Sequence, residues 1–197
     1  MKRVAHERQI GLLITPDTKG YVPQISEYPF WAADNACFNH PERFSVDKFL
    51  GWLSTLRDQR STCLFAVAPD VVGDAAATIE RSLPVLPLIR ELGFPAAFVA
   101  QDGLENLEVP WNEFDVLFIG GSTEWKLSEN AARLSREAKA RGKRVHVGRV
   151  NSFKRLKISN DMGADTADGT FLRWGADANT PRLLSWLDKL DNAQVSA

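Results

Sequence analysis

Carboxylate and amide side chains stand at the ends of apolar stretches in this 197-residue chain. Asp34 follows FWAA, Asp70 follows FAVAP, Gln101 follows AAFVA and Asp168 follows ADTA. Paired carboxylates are typical of glycosidic bond cleavage, in which one group handles protons and the other stabilises the anomeric carbon. Carboxylates can also hold Mg²⁺ against a phosphate. The absence of a GxxxxGKS or GxGxxG loop disfavours the second chemistry without removing it.

Two further groups of residues suggest what such a site binds. The pair Gly120-Gly121 lets a planar ring approach backbone N–H and C=O groups closely. The stretch 138–160 contains no acidic residue and is rich in lysine and arginine. Part of it follows one predicted strand and opens a helix, where side chains can hold phosphates beside the helix N-terminus. The residues predicted to do so are Arg149, Asn151, Lys154 and Arg155.

Composition limits the alternatives. The net charge is −1, so attraction to nucleic acid must come from a local patch. Cys37 and Cys63 form no CxxC pair, and the three histidines are scattered, so we expect reduced thiols and neither a structural metal nor a cofactor. No apolar stretch is long enough to span a membrane, and the N-terminus lacks a signal sequence. We therefore expect a cytoplasmic protein.

Short β-rich stretches alternate with amphipathic helical patterns along the chain. The predicted strands lie in 9–15, 30–34, 63–70, 95–102, 116–121, 144–149 and 164–169. Several are apolar on both faces, as strands covered by helices must be. Helices are predicted to begin at Ser45, Asp74, Ser128, Ser152 and Asn179-Thr180-Pro181. Pro84 and Pro87 should split the second of these, and Gly93 should end it.

Strands that alternate with helices predict a parallel sheet, which is either an open doubly wound sheet or a closed barrel. Polar residues end nearly every strand, and a barrel brings all of those ends to one mouth. The sequence thus favours an α/β fold, a compact TIM-type (β/α) barrel of seven or eight parallel strands, with residues 1–197 in a single domain.

Five aromatic residues flank strand ends, and one or two of them could sandwich a base flipped out of its helix. They are Trp31, Phe38, Trp111, Trp125 and Trp174.

Taken together and in order, these motifs resemble the tRNA-guanine transglycosylase family, which includes queuine tRNA-ribosyltransferases and phage enzymes that insert deazapurines into DNA. AADNACF resembles the family's TDSGGFQ segment, FAVAPD its base-binding strand and VAQDG its Val-Gln-Gly-Gly strand. IGGSTEW resembles the GGLAVGE loop, VHVGRVN the YLMGVG strand and GADTADG the GVDMFDC strand. The family's zinc-binding Cys/His region and its tRNA-positioning insertion have no counterpart here.

This resemblance implies a role for each matched residue. Asp34 takes the place of the general acid/base and Asp168 that of the nucleophile. The residues implied in substrate binding are Asp70, Gln101, Gly120, Gly121, Glu124 and Asp165.

The resulting hypothesis is a DNA glycosylase that removes a flipped, modified base, an activity suited to phage defence. Three alternatives remain. They are a transglycosylase that exchanges a guanine-type base for a deazapurine in DNA or tRNA, an enzyme acting on free nucleosides or nucleotides, and a non-catalytic nucleotide-binding barrel.

Overall fold

A computed structural model describes residues 2–37 and 44–195, and its centre is one parallel sheet. All of its strands run in the same direction, and each pairs with the next along the chain. The strands are β1 (Leu12–Ile14), β2 (Trp31–Ala33), β3 (Cys63–Val67), β4 (Ala96–Ala100), β5 (Val116–Ile119), β6 (Arg144–Val147) and β7 (Thr166–Ala167). Each strand lies within a stretch predicted from the sequence, so the predicted strand order is confirmed.

Helices lie between the strands and cover the outside of the sheet. They are α1 (Lys2–Glu7), α2 (Val46–Ser54), α3 (Ala75–Ser82), α4 (Leu86–Glu91), α5 (Thr123–Lys126), α6 (Glu129–Ala140), α7 (Phe153–Asp161) and α8 (Ala176–Val195). Three 3₁₀ segments occupy Lys19–Glu27, Arg57–Thr62 and Leu104–Asn106. Within the described part of the chain, no helix is long and apolar enough to cross a bilayer.

The predicted helix boundaries are confirmed at all but one position. The side chains of Ser45, Asp74, Ser128 and Ser152 each accept a hydrogen bond from a backbone N–H in the first turn of the helix that they begin. The exception is α8, predicted to begin at Asn179-Thr180-Pro181, which instead starts at Ala176. Gly175, with φ +116°, turns the chain there and accepts a hydrogen bond from the Asn179 backbone N–H.

The sheet is curled, and its two faces bury different sets of side chains. The outer face packs on the helices through residues such as Trp31, Phe98 and Ile119. The inner face carries a second apolar cluster that includes Phe65, Val99 and Phe118. This double burial explains why the strands are almost continuously apolar.

Contacts across the interior demonstrate the barrel curvature. The rings of Phe65 in β3 and His146 in β6 have centroids 4.8 Å apart, although two strands separate them in the sheet. Arg144, also in β6, donates a hydrogen bond of 2.6 Å to the backbone oxygen of Leu64 in β3. A flat sheet would hold strands three places apart at about 14 Å, so the protein is an α/β barrel.

The barrel is not closed by an eighth strand in the described residues, where β1 pairs only with β2 and β7 only with β6. Helix α8 lies along this gap: Arg8 forms ion pairs with Asp188 at 2.6 Å and Asp191 at 3.3 Å. A cavity of about 1710 Å³ runs from the gap into the interior and reaches Asp168, His146 and Asn35. The seventh strand is therefore followed by a helix that lies along the open side of the barrel.

Candidate active site

The carboxyl ends of the strands gather polar side chains at one mouth of the barrel. Asp34 follows β2, Asp70 follows β3, Gln101 follows β4 and Asp168 follows β7. The charges of Asp70 and Asp168 both act on Asp34, although β2 and β7 lie near opposite edges of the sheet. The curl of the sheet thus brings together the two carboxylates to which the sequence assigns chemistry.

Asp34 is held in a way that favours a bound proton. Its Oδ1 accepts a hydrogen bond of 2.7 Å from the Ala36 backbone N–H, and Ala36 adopts a left-handed conformation with φ +59°. Burial raises the pKa of Asp34 to about 6, and the negative charges of Asp70 and Asp168 act in the same direction, whereas the hydrogen bond from Ala36 acts in the opposite direction. A carboxyl group with this pKa can give up or take a proton near neutral pH.

Asp168 is held by one of its two carboxylate oxygens. Its Oδ1 accepts hydrogen bonds from the Arg149 backbone N–H at 3.1 Å and lies 3.1 Å from the ring nitrogen Nε2 of His146. Among the residues that the structure describes, no side chain or backbone group hydrogen-bonds Oδ2. The side chain is 20 % exposed and borders the cavity, so Oδ2 is the oxygen available to a ligand.

His146 is a site residue that the sequence analysis missed. It lies on the inner face of β6 between the rings of Phe65 and Phe118, with centroids at 4.8 and 4.6 Å. Its Nδ1 is 2.8 Å from the Thr166 hydroxyl. With Nδ1 accepting from that hydroxyl, Nε2 carries the proton and donates it to Asp168. The signal was present in the sequence, because a histidine between two valines of a strand points away from both.

Asp70 and Gln101 are linked in one network beside Asp34. The Gln101 amide nitrogen donates to Asp70 Oδ2 at 2.6 Å, and its oxygen accepts from the Gly73 backbone N–H at 2.9 Å. The Cys37 thiol donates to Asp70 Oδ1 at 3.2 Å. Gln101 is 1 % exposed. Both residues lie at the mouth as predicted, but their polar atoms already have protein partners, which suits holding the loop after β3 in place.

Gly120 and Gly121, predicted to let a planar ring approach the backbone, form a close-packed turn at the end of β5. A Cβ at Gly120 would lie 2.6 Å from Val99, and one at Gly121 would lie 2.6 Å from Asp102 Oδ2. Asp102 accepts hydrogen bonds from the backbone N–H and the hydroxyl of Ser122, which keep its pKa below the usual value although partial burial acts in the opposite direction. Glu124 lies on the first turn of α5 and is exposed.

Positive charge gathers beside Asp168. Lys126, which the sequence did not single out, is 1 % exposed and donates to the Gly148 backbone oxygen at 3.0 Å. Burial and the charge of Arg149 lower its pKa to about 8, while Asp168 acts in the opposite direction. Arg149 donates to the Gly121 oxygen at 3.3 Å, and Arg155 to the Arg149 oxygen at 3.4 Å. These cations frame the mouth on the side of β5 and β6.

The two remaining predicted phosphate-binding residues stand near this group. Lys154 lies in the first turn of α7 and is exposed. Asn151 precedes that helix, and its side-chain oxygen is buried without a hydrogen-bond partner in the described part of the protein.

Asp165 does not belong to the mouth, and its prediction as a substrate-binding residue needs correction. It precedes β7 and therefore lies at the amino end of the strand. There it pairs with Lys139 at 2.5 Å and accepts a hydrogen bond of 2.8 Å from the Val145 backbone N–H. Its role is to join α6 to the edge of the sheet. Phe38, one of the aromatic residues noted above, lies outside the described residues.

No family model and no curated protein matches the sequence. The structure resembles a putative glycerophosphoryl diester phosphodiesterase from Silicibacter pomeroyi DSS-3, with a TM-score of 0.49 and 11% identity over 76% of this chain and 50% of that one. It also resembles DHPS of Yersinia pestis in complex with a pterine-sulfa conjugate, with a TM-score of 0.48 and 10% identity over 95% of this chain and 94% of that one. The chain spans half the length of the first of these proteins, and both likenesses concern the fold alone.

Proposed function

We propose that this protein is an enzyme that cleaves the N-glycosidic bond between deoxyribose and a modified nucleobase in DNA. The observation that carries the proposal is the pairing of Asp34, whose pKa is raised to about 6, with Asp168, which borders the cavity and whose hydrogen bonds among the described residues engage only Oδ1. Two carboxyl groups in different surroundings can divide the work of acid and of nucleophile or charge stabiliser.

In the proposed reaction, the bond between C1′ and the base nitrogen breaks while Asp34 delivers its proton to the leaving base. Asp168 Oδ2 stabilises or attacks C1′ as positive charge develops there. Water then supplies hydroxide to C1′, its other proton returns to Asp34, and an abasic sugar remains. Lys126, Arg149 and Arg155 supply the positive field for the phosphates that flank the target sugar.

The base itself would be turned out of the helix into the mouth, at a cost of a few kcal/mol. In this proposal the backbone of the Gly120-Gly121 turn, which follows β5 at the same end of the sheet, contacts the ring edge of the base. Replacement of the water by a second base would convert the same site into a transglycosylase, the function that the sequence motifs resemble.

The test is incubation with DNA that carries normal and modified bases, followed by alkali to cut abasic sites and mass spectrometry of the released base. We expect base release by the wild-type protein and its loss in Asp168→Asn. Asp165→Asn is the matched control, because it makes the same change three residues earlier, at the amino end of β7 and away from the mouth. Release that survives Asp168→Asn contradicts the mechanism, and release from free nucleosides but not from DNA reassigns the substrate.

A further inference from the structure

The loop between β7 and α8 carries the most exposed large apolar side chain among the described residues. Trp174 is 75 % exposed, whereas Trp31 and Trp125 are buried in the core. The loop begins at Asp168, the proposed nucleophile, so Trp174 follows the site by six residues. The exposed indole ring offers apolar surface whose burial against a partner would be favourable.

The backbone beneath Trp174 is fixed by hydrogen bonds. The Asn179 side chain donates to the backbone oxygens of Phe171 at 2.8 Å and Trp174 at 3.3 Å. The Phe171 ring packs at a tilt against Trp186 of α8, with centroids 4.5 Å apart. The loop therefore holds the indole outward on an ordered turn, and a partner that covers it meets little cost of ordering the backbone.

The surroundings of the ring are positively charged. The Arg173 guanidinium lies 5.7 Å from the centre of the Trp174 ring, and Arg182 lies 5.5 Å from that of Phe171. The same loop packs on the turn after β6, where the Val150 backbone N–H donates to the Asp168 oxygen at 2.6 Å. That turn carries Arg149, whose charge acts on Lys126 at the mouth. The loop with Phe171 and Trp174 therefore adjoins the positively charged side of the mouth.

We propose that Trp174 stacks on an unpaired base of a nucleic acid strand whose neighbouring nucleotide occupies the barrel mouth. The proposal rests on the function proposed above and names the contact that holds the strand open. An exposed indole ring with Arg173 beside it and Arg182 on the neighbouring Phe171 fits a base and its phosphate, because every base offers a π-face and arginines can bind the backbone. Stacking of this kind is tolerant of sequence, so Trp174 would set affinity for unpaired DNA rather than choice of base.

The test is the equilibrium binding of a fluorescein-labelled single-stranded 15-mer by anisotropy, for wild type, Trp174→Ala and Trp174→Phe. We expect roughly 5- to 150-fold weaker binding by the alanine variant, the range that loss of one stacked base produces. The phenylalanine variant should retain most of the affinity. Leu88→Ala is the control, because Leu88 is an exposed apolar residue on α4, away from the mouth.

Salt dependence separates stacking from charge. The slope of log Kd against log salt should be the same for wild type and Trp174→Ala, since the indole carries no charge, and smaller for Arg149→Ala. Unchanged affinity in Trp174→Ala overturns the proposal. So does a loss of self-association in that variant with DNA binding intact, which would make Trp174 a contact between copies.

The outcome for the proposed function is read separately, from base release by the wild-type protein. If the wild-type protein releases base and Trp174→Ala binds DNA with unchanged affinity, the proposed function is supported and the stacking contact is refuted. If Trp174→Ala binds DNA more weakly but the wild-type protein releases no base, the stacking contact is supported and the proposed function is refuted.

Discussion

The folded protein is less stable when Asp34 carries its negative charge. Burial raises its pKa from 3.8 to about 6, so at pH 8 the folded state must hold a charge that the unfolded state carries more easily. Below pH 3.8 the group is protonated in both states and the cost vanishes. A residue that lowers stability at working pH is the kind of residue that is retained for function.

Asp34→Asn should therefore make the protein more stable, and only at higher pH. The amide keeps an oxygen for the Ala36 N–H but carries no charge. The gain should grow as pH rises through about 6 and reach at most about 3 kcal/mol, because one pKa unit corresponds to about 1.4 kcal/mol. Urea denaturation at pH 3.5 and pH 8 measures it. An equal effect of the substitution at both pH values would contradict the raised pKa.

In the proposed mechanism, His146 acts on the chemistry only through its hydrogen bond to Asp168. Loss of one hydrogen bond to a charged group corresponds to about 1.5–3 kcal/mol, so His146→Ala should lower kcat for base release by roughly 10- to 100-fold. The KM for DNA should stay unchanged, because the ring lies inside the barrel and away from the strand. His146→Gln keeps an N–H donor and should restore part of kcat. A fall in kcat equal for both variants would indicate a packing defect rather than a lost hydrogen bond.

At the scale of the elements, the turn between β5 and α5 depends on two glycines with different constraints. Gly121 combines a φ of +71° with a Cβ position 2.6 Å from Asp102 Oδ2. Gly142, after α6, has nearly the same φ, +72°, but open space around it. The pair thus separates the cost of left-handed backbone from the cost of crowding.

Gly142→Ala should cost about 1 kcal/mol in unfolding free energy, the usual cost of a left-handed alanine. Gly121→Ala should cost about 1–3 kcal/mol more, because the methyl group must displace the Asp102 carboxylate or Trp125. Only the second variant should lose base release, since it shifts Ser122 and the mouth. Chemical denaturation and the abasic-site assay measure the two effects, and equal stability losses would show that the turn can relax.

The elements were predictable from the sequence because each is encoded locally. Apolar runs on both faces mark the strands, and serine or aspartate caps mark most helix starts. The start of α8 was missed because the signal there is Gly175 at φ +116°, a turn that the later Asn-Thr-Pro motif obscured. Lys126 could not be recognised either, since nothing in its own segment distinguishes it from an exposed lysine. Its burial results from the approach of the β6 end, which is a property of the whole fold.

Asp165 shows why the membership of the site could not be predicted fully from the sequence. In the sequence it stands immediately before the strand that Asp168 follows, and both are acidic. Only the position of β7 between them, at Thr166–Ala167, shows that they face opposite ends of the barrel. A separation of three residues across so short a strand is finer than apolar patterns can resolve.

At the scale of the molecule, α8 does two things at once: it lies along the gap between β1 and β7, and it supports the loop beside Asp168. The link is the stack of Phe171 on Trp186, together with the hydrogen bonds from Asn179. Closure of the barrel and the shape of its mouth therefore depend on the same helix.

Trp186→Ala tests this coupling against Trp52→Ala, a half-buried tryptophan of α2 that packs on Phe49 at 6.0 Å. Each substitution should cost about 2 kcal/mol of unfolding free energy, less than a fully buried tryptophan because both rings are partly exposed. Only Trp186→Ala should also weaken DNA binding and base release, since without the stack Phe171 no longer anchors the loop that presents Trp174. Denaturation measures the first effect, and anisotropy with the abasic-site assay measures the second. If both variants reduced activity in proportion to stability alone, α8 would be a structural closure with no part in shaping the site.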